Sequence, residues 1–433
     1  MRELKKVVVL GANGTMGAGS AEVFAAGGCD VVLLARSAER ATEGLTGAQN
    51  MAKSIRIGDL MSVGTYDADF EKTVSEADLI FEALAEDLAL KKTFFERVDR
   101  CRRPDSIVAT VSSGLSITEM AKPCSESFRR NFLGIHLFNP PNVIVGTEVI
   151  PHAETDAALL SSVVQMLERR FGREVIVCRD QPAFAGNRVG FKVLNEVAQI
   201  AERHGIAFAD YLIGPYTGRA MPPLATVDLV GWDVHKAIVD NVFANTSDEA
   251  HQAFELPKYM ESLIRRGHLG NKTADKGGFY RRVKEGGKNV SLVLDPASGE
   301  YKPATAPPRL EFVEKMRELH RVGCYADAMK VFVGAEGEEA KLARKVIFGY
   351  VSYGLNRVGE SEVVAQPRDV DRIMGFGFNW APPSVLVDVV GAKETVRAIE
   401  SCGLTVPNVL KTLKPGDKLF KERGVNIGRF FAA

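Results

Sequence analysis

Val7-Val-Val-Leu-Gly-Ala-Asn-Gly-Thr-Met-Gly17 reads as an apolar run that ends in three evenly spaced glycines, and Ala18 to Ala26 continues it with helical composition. A second apolar run follows at Val31-Val-Leu-Leu34, so the segment predicts a strand, a glycine turn, a helix and a parallel strand. Glycines at such a turn let the backbone approach a pyrophosphate, and the helix N-terminus favours its charge. Gly11, Asn13, Gly14, Thr15, Met16 and Gly17 are therefore candidate dinucleotide-binding residues. The spacing Gly-x-x-Gly-x-x-Gly is one residue longer than the usual fingerprint. The alternative is an ordinary glycine turn.

Further strands are predicted at Leu79-Ile-Phe-Glu82, at Ser106-Ile-Val-Ala-Thr-Val111, and near 132 to 138, 146 to 150 and 174 to 177, with helical segments between. Strands alternating with helices predict an α/β, Rossmann-like doubly wound sheet over residues 1–183. Past Asp180-Gln-Pro182 the pattern turns helical, and Phe184 to Arg203 is a long apolar-periodic segment with Asp180 and Pro182 as its capping signals. Gly286-Gly287, Asp295-Pro296 and Pro307-Pro308 punctuate a polar linker with room for one small hairpin. Pro222-Pro223 with Val227-Asp-Leu-Val-Gly231 recurs as Pro382-Pro383 with Val387-Asp-Val-Val-Gly391, and Glu202 recurs as Glu362, all at one separation. This internal repeat predicts two related all-α domains, 184–300 and 301–433. Two copies in one chain can bury on each other the face that a single copy would bury in a homodimer, so a monomer and a homodimer both remain open.

A chain of 433 residues with 45% apolar residues, 25% charged residues and zero formal net charge has the composition of a soluble globular protein of two or three domains. Nothing in it points to a nucleic-acid or membrane-surface partner. Cys29, Cys101, Cys124, Cys178, Cys324 and Cys402 are scattered without metal-ligand spacing, which predicts buried thiols, a reducing compartment and no metal site. Met1 to Lys6 runs straight into a strand and no apolar run is long enough to span a bilayer, so the expected location is the cytoplasm.

An NAD site usually carries an acidic residue at the end of the second strand. Here the sequence is Ala35-Arg36-Ser37. Arg36, with Ser37 beside it, could pair with a 2′-phosphate through charge-assisted hydrogen bonds, which makes NADP plausible beside NAD. Arg36 could equally be a solvated residue stacking on adenine.

Gly134-Ile-His-Leu-Phe-Asn-Pro-Pro141 places His136 at a predicted strand end, where open α/β sheets bind ligands. Glu148 lies in the next apolar run, and a carboxylate on the inward face of a half-buried strand needs a partner. His136 is the natural one, and together they make a poised general base. Ser113, at the end of the predicted strand 106 to 111, and Asn187, in the first turns of the long helix, read alone as caps or exposed polar groups.

In this order the residues resemble the L-3-hydroxyacyl-CoA dehydrogenase family, clearly from residue 1 to about 280 and more loosely across the C-terminal repeat. Ala109-Thr-Val-Ser-Ser-Gly-Leu-Ser-Ile-Thr118 resembles its serine motif, Gly134 to Pro140 its histidine motif, and Glu82-Ala-Leu-Ala-Glu-Asp-Leu-Ala-Leu-Lys91 a cofactor-contacting segment. Gly270-Asn-Lys-Thr273 and Gly278-Phe-Tyr280 resemble its closing motif. The resemblance implies His136 as base, Glu148 as its partner, Ser113 and Asn187 as hydrogen-bonding groups for the reacting oxygen and thioester side, and Glu86, Lys91 and Lys272 near the cofactor. It implies hydride transfer between the C3 hydroxyl of an acyl-CoA and a nicotinamide, in acyl-CoA and fatty-acid metabolism such as β-oxidation. The departures are Val111-Ser112-Ser113 for Asn-Thr-Ser, the extra loop residue, the missing acidic ribose ligand and a longer closing motif. The segment from 38 to 70 is short for members with a long helical hairpin over the CoA, leaving Lys53 and Arg56 as candidate CoA contacts. Two rival readings are an NADP-linked dehydrogenase of a free hydroxy acid or sugar acid, and a dinucleotide-binding protein without catalysis.

Overall fold

Lys6–Leu10 forms β1, and Val7 to Leu10 are at most 1% exposed, so a run without polar alternation becomes an inner strand covered on both faces. The computed structural model describes residues 4–286, 288–414 and 416–421, in two compact units, Met1–Phe184 and Ala185–Ala433. Residues 1–3 of the expected leaderless start, Gly287 of the linker, and Pro415 and 422–433 of the expected last domain lie outside the described residues.

In the first unit β1 is joined by β2 (Asp30–Ala35), β3 (Met61–Thr65), β4 (Leu79–Glu82), β5 (Ile107–Thr110), β6 (Phe132–Leu137), β7 (Gly146–Ile150) and β8 (Glu174–Val177). They form one sheet in the order β3-β2-β1-β4-β5-β6-β7-β8, with β1 to β6 parallel, β7 antiparallel to β6, and β8 parallel to β7. The chain order reverses between β1 and β4, which opens a crevice at the carboxyl ends of these two strands. This is the expected doubly wound sheet.

One strand was not expected. Met61-Ser-Val-Gly-Thr65 is an edge strand with Val63 exposed, so its sequence has neither the apolar run of an inner strand nor a clean alternation. Asp180 also differs from expectation. The helix Gly186–His204 starts at Ala185 without a side-chain cap, whereas Asp180 accepts from Ser116 Oγ, Ile117 N, Thr118 N and Thr118 Oγ1 and so caps the helix Ile117–Ala121. Cys29, Cys124 and Cys178 are buried, but Cys324 is exposed because it stands at the turn before the helix Tyr325–Gly334.

The second unit is mostly helical. Its linker holds an antiparallel sheet of β9 (Tyr280–Glu285), β10 (Lys288–Asp295) and β11 (Glu300–Pro303) in the order β11-β10-β9, one strand more than the hairpin allowed for. Its Lys and Arg content hid the pattern, which is anchored by Leu294 and by Tyr301 Oη donating to Gly278 O. The repeated sequence forms matching elements. Pro223–Val230 and Pro383–Val390 are both helices that end in a left-handed glycine, Gly231 at φ 101° and Gly391 at φ 94°. Asp210 accepts from Leu224 N as Asp371 accepts from Ser384 N, and Asp228 accepts from Phe279 N and Tyr280 N as Asp388 accepts from Leu419 N and Phe420 N. Glu202 and Glu362 do not belong to this correspondence, since one is helical and the other lies in a bend. Among the described residues no helix is long and apolar enough to cross a membrane.

Burial, aided by nearby Asp228, pushes the Asp210 carboxyl up to about 7 despite donors from Leu224 N, Ala225 N and Tyr280 Oη. Between the ordinary aspartate value of about 3.9 and this one, the folded state holds a proton that the unfolded chain has released. The contribution of Asp210 to stability is thus full at acid pH and lost as pH rises to about 7. Asp210→Asn is expected to remove this part of the slope of the urea midpoint against pH; parallel curves for variant and wild type from about pH 4 to pH 8 would exclude it.

Candidate active site

The glycine loop follows β1 as a turn closed by Gly14 N donating to Gly11 O at 3.2 Å, and this turn takes up the extra residue. Gly11 has φ +81°, and a Cβ there would stand 2.3 Å from Ala83 O beyond β4. A Cβ at Gly17 would stand 2.3 Å from Gly11 O. Gly14 is different: its Cβ would meet nothing nearer than 3.6 Å, and Gly14 is exposed together with Asn13 and Thr15. Two glycines are thus required for close packing and the third leaves an open floor. The helix Thr15–Ala26 begins at that floor without a side-chain cap, so its first N–H groups remain for an anion. The site fits a dinucleotide pyrophosphate.

Gly11 N donates to Tyr66 Oη at 2.8 Å as well as to Leu34 O at 3.2 Å. Tyr66 was not singled out from sequence, because it follows the unforeseen β3. Arg36 is exposed, whereas Ser37 Oγ accepts from Arg40 N at 3.3 Å and caps the helix Ala38–Ala52. Lys53 ends that helix in a left-handed conformation, and Arg56 makes an exposed ion pair with Asp59 at 3.6 Å.

His136 and Glu148 are direct partners in the antiparallel pairing of β6 with β7, so their side chains leave the sheet on the same face. His136 Nδ1 lies 2.6 Å from Glu148 Oε2, and the side chains are 5% and 0% exposed. An ionised carboxylate only accepts, so Nδ1 carries the proton and Nε2 is the basic nitrogen. β7 is buried throughout rather than half-buried, which leaves Glu148 no solvent alternative. Cys178, just after β8, donates from Sγ to Glu148 Oε1 at 3.4 Å, and the rings of Phe138 and Phe184 stand 4.7 and 5.9 Å from the imidazole. None of these three was legible as a site residue, since each has the composition of ordinary core.

A second cluster gathers where β4 and β5 end. Lys91 Nζ donates to both oxygens of Glu82 at 2.7 and 2.9 Å, and both side chains are 0% exposed. Thr110 Oγ1 and Leu84 N complete the Glu82 carboxylate. Glu86 Oε1 accepts from Ser112 Oγ at 2.6 Å and Ser113 N at 2.8 Å, and Glu86 Oε2 stands 3.5 Å from Lys91 Nζ. Glu86, Lys91 and Ser113 are therefore brought together, with Lys91 enclosed beneath Glu86. Asn187 and Lys272 belong to the second unit. Asn187 is buried near the start of the helix Gly186–His204, beside Arg188, which pairs with Asp248 at 2.7 Å. Lys272 Nζ is engaged by Asp233 at 2.8 and 3.0 Å. Among the described residues no group of three or more His, Cys, Asp or Glu side chains is placed to hold a metal ion.

Comparison with known proteins adds the lineage. Residues 6–181 match the model of the NAD binding domain of 3-hydroxyacyl-CoA dehydrogenase, and residues 184–282 match that of its C-terminal domain. A probable 3-hydroxyacyl-CoA dehydrogenase of Bacillus subtilis is 30% identical over 98% of this chain and 56% of its own length, so the chain spans little more than half of that relative. A protein of the same description from Deinococcus radiodurans is 30% identical over 65% of this chain and 84% of its own length. The crystal structure of 3-hydroxybutyryl-CoA dehydrogenase from Escherichia coli has the same fold, with a TM-score of 0.69 at 21% identity, over 95% of this chain and 98% of that one. The match to an NAD binding domain and the open floor at Gly14 together support a nicotinamide dinucleotide as cofactor. With both domain models matched in order and two such relatives, the chain belongs to the 3-hydroxyacyl-CoA dehydrogenase family.

Proposed function

We propose that this chain interconverts a (S)-3-hydroxyacyl-CoA and its 3-keto form with a nicotinamide dinucleotide. The observation that carries the reading is the buried 2.6 Å pair of His136 and Glu148 in the NAD-binding domain of a dehydrogenase family. The bound nicotinamide supplies the hydride acceptor for oxidation and the donor for reduction. His136 Nε2 takes the proton of the 3-hydroxyl as the C3–H bond breaks, and Glu148 keeps Nδ1 protonated and stabilises the imidazolium. Ser113 and Asn187 hydrogen-bond the oxygen that changes from hydroxyl to ketone and the thioester side of the acyl group. Glu86 and Lys91 serve the cofactor, a reading supported by the 3.5 Å approach of Lys91 Nζ to Glu86, whose carboxylate also accepts from Ser113 N. Lys272, in its ion pair with Asp233, serves the cofactor end, and Lys53 and Arg56 supply cations for the CoA phosphates. The matching elements at Pro223–Val230 and Pro383–Val390 support a duplicated helical motif that covers its own pairing face.

A second reading concerns the cofactor. Ala35 offers no carboxylate to the ribose, and Arg36 is exposed with no ion-pair partner among the described residues. This favours a dinucleotide with a 2′-phosphate, which a guanidinium can hold through two charge-assisted hydrogen bonds.

Acetoacetyl-CoA with NADH or NADPH is expected to be consumed by the purified chain; consumption of neither would remove the short-chain acyl-CoA reading. His136→Ala should lower kcat by roughly two to four orders of magnitude while cofactor affinity stays as in wild type, and turnover retained in this variant would remove His136 as base. Ala35→Asp combined with Arg36→Gln should move the ratio of kcat/KM values from NADPH towards NADH, and an unmoved ratio would show that Arg36 does not select the cofactor.

A further inference from the structure

Tyr66 follows β3, and its backbone, ring and hydroxyl are each held by neighbours. Its backbone N donates to Ala35 O at 3.1 Å, its carbonyl accepts from Arg97 Nη2 at 2.7 Å, and Phe94 and Phe70 pack edge-on at 5.1 and 6.3 Å. The ring spans from the end of β3, past the end of β2, to the start of the glycine loop, where its oxygen accepts from Gly11 N. Burial holds the phenol above its ordinary range, with Gly11 N and Arg36 opposing and Glu82 reinforcing, so the hydroxyl stays protonated at any working pH. Accepting from Gly11 uses one lone pair and leaves the O–H proton to be donated. Among the described residues it has no acceptor. A polar donor on a buried side chain costs free energy unless it is hydrogen-bonded, and this one lies at the carboxyl ends of β1, β2 and β3, against the first glycine of the loop and near Arg36.

We propose that Tyr66 is a cofactor-binding residue: its oxygen fixes Gly11 and thereby the lengthened loop, and its proton is donated to a phosphate or ribose oxygen of the adenosine half of the dinucleotide. No bond is made or broken in this step. It rests on the glycine loop as the dinucleotide site and not on His136 as base, so the two can fail separately.

The test is Tyr66→Phe, measured first by fluorescence titration with NADH and with NADPH in the absence of any acyl substrate. Loss of one hydrogen bond to the ligand and of the support to Gly11 is expected to raise the cofactor Kd about five- to thirty-fold. In turnover, the cofactor KM should rise by a similar factor, with kcat and the acyl-CoA KM within about twofold of wild type. Phe94→Leu is the control, since it loosens the same ring cluster but keeps the hydroxyl; it should lower Tm and leave the cofactor Kd unchanged. The proposal is overturned if Tyr66→Phe binds both dinucleotides as wild type does, or if Phe94→Leu weakens binding equally. If Tyr66→Phe does not fold, wild-type protein labelled at the tyrosine ζ-carbon decides instead, with the Tyr66 signal assigned by elimination through Tyr→Phe variants at the other tyrosines. That signal should shift when NADH is added, and a stationary signal would overturn the proposal.

Discussion

The first unit depends on a close approach of two backbones. Where β1 ends, Gly11 passes so near Ala83, just beyond β4, that any side chain would collide with its carbonyl. β1 and β4 are the neighbours between which the chain order of the sheet reverses, so this approach fixes the mouth of the crevice. The same contact sets the start of the helix Thr15–Ala26 on one side and the start of the Glu82 to Lys91 segment on the other. From the neighbouring helix, Gly44 approaches Ala12 O nearly as closely, so the loop is clasped by backbone from both directions. A phosphate site built this way owes its shape to main-chain packing.

The ion pair of Lys91 with Glu82 is the electrostatic counterpart of that packing. Two charges fully removed from water are tolerated because Thr110 Oγ1 and Leu84 N complete the carboxylate and Glu86 adds a second negative group near the ammonium. Removing one partner of such a pair typically costs about 3–5 kcal/mol, far more than an exposed ion pair. Glu86, which is exposed, is in turn bonded to Ser112 and Ser113, so a polar network runs from the buried pair at the end of β4 out to the serine turn.

Much of this was legible from sequence where a residue had to satisfy a local rule. The glycine spacing, the uninterrupted Val7 to Leu10 run and a carboxylate among apolar residues each violate or obey such a rule openly, and they led to the sheet, the loop and the pairing of His136 with Glu148. Legibility failed where the decisive partner was remote. Asp180 precedes one helix in sequence but caps another, Tyr66 follows an edge strand whose outer face needs no apolar pattern, and Cys178 and Glu82 matter through side chains brought to them by strand order. The sheet from Tyr280 to Pro303 was legible only as a linker with room for one hairpin, because its charged residues leave few apolar positions to count.

The reversal of β7 against β6 has a consequence for how the site can vary. His136 and Glu148 meet because they are rungs of one antiparallel ladder, not because of the loop that joins them. Their distance is therefore insulated from the length and composition of residues 138–145. That connection can be lengthened, shortened or reshaped without changing the distance between the imidazole and the carboxylate, provided the rungs keep their alignment. A slip by one rung would do the opposite, turning the glutamate to the far side of the sheet and leaving the histidine without its carboxylate.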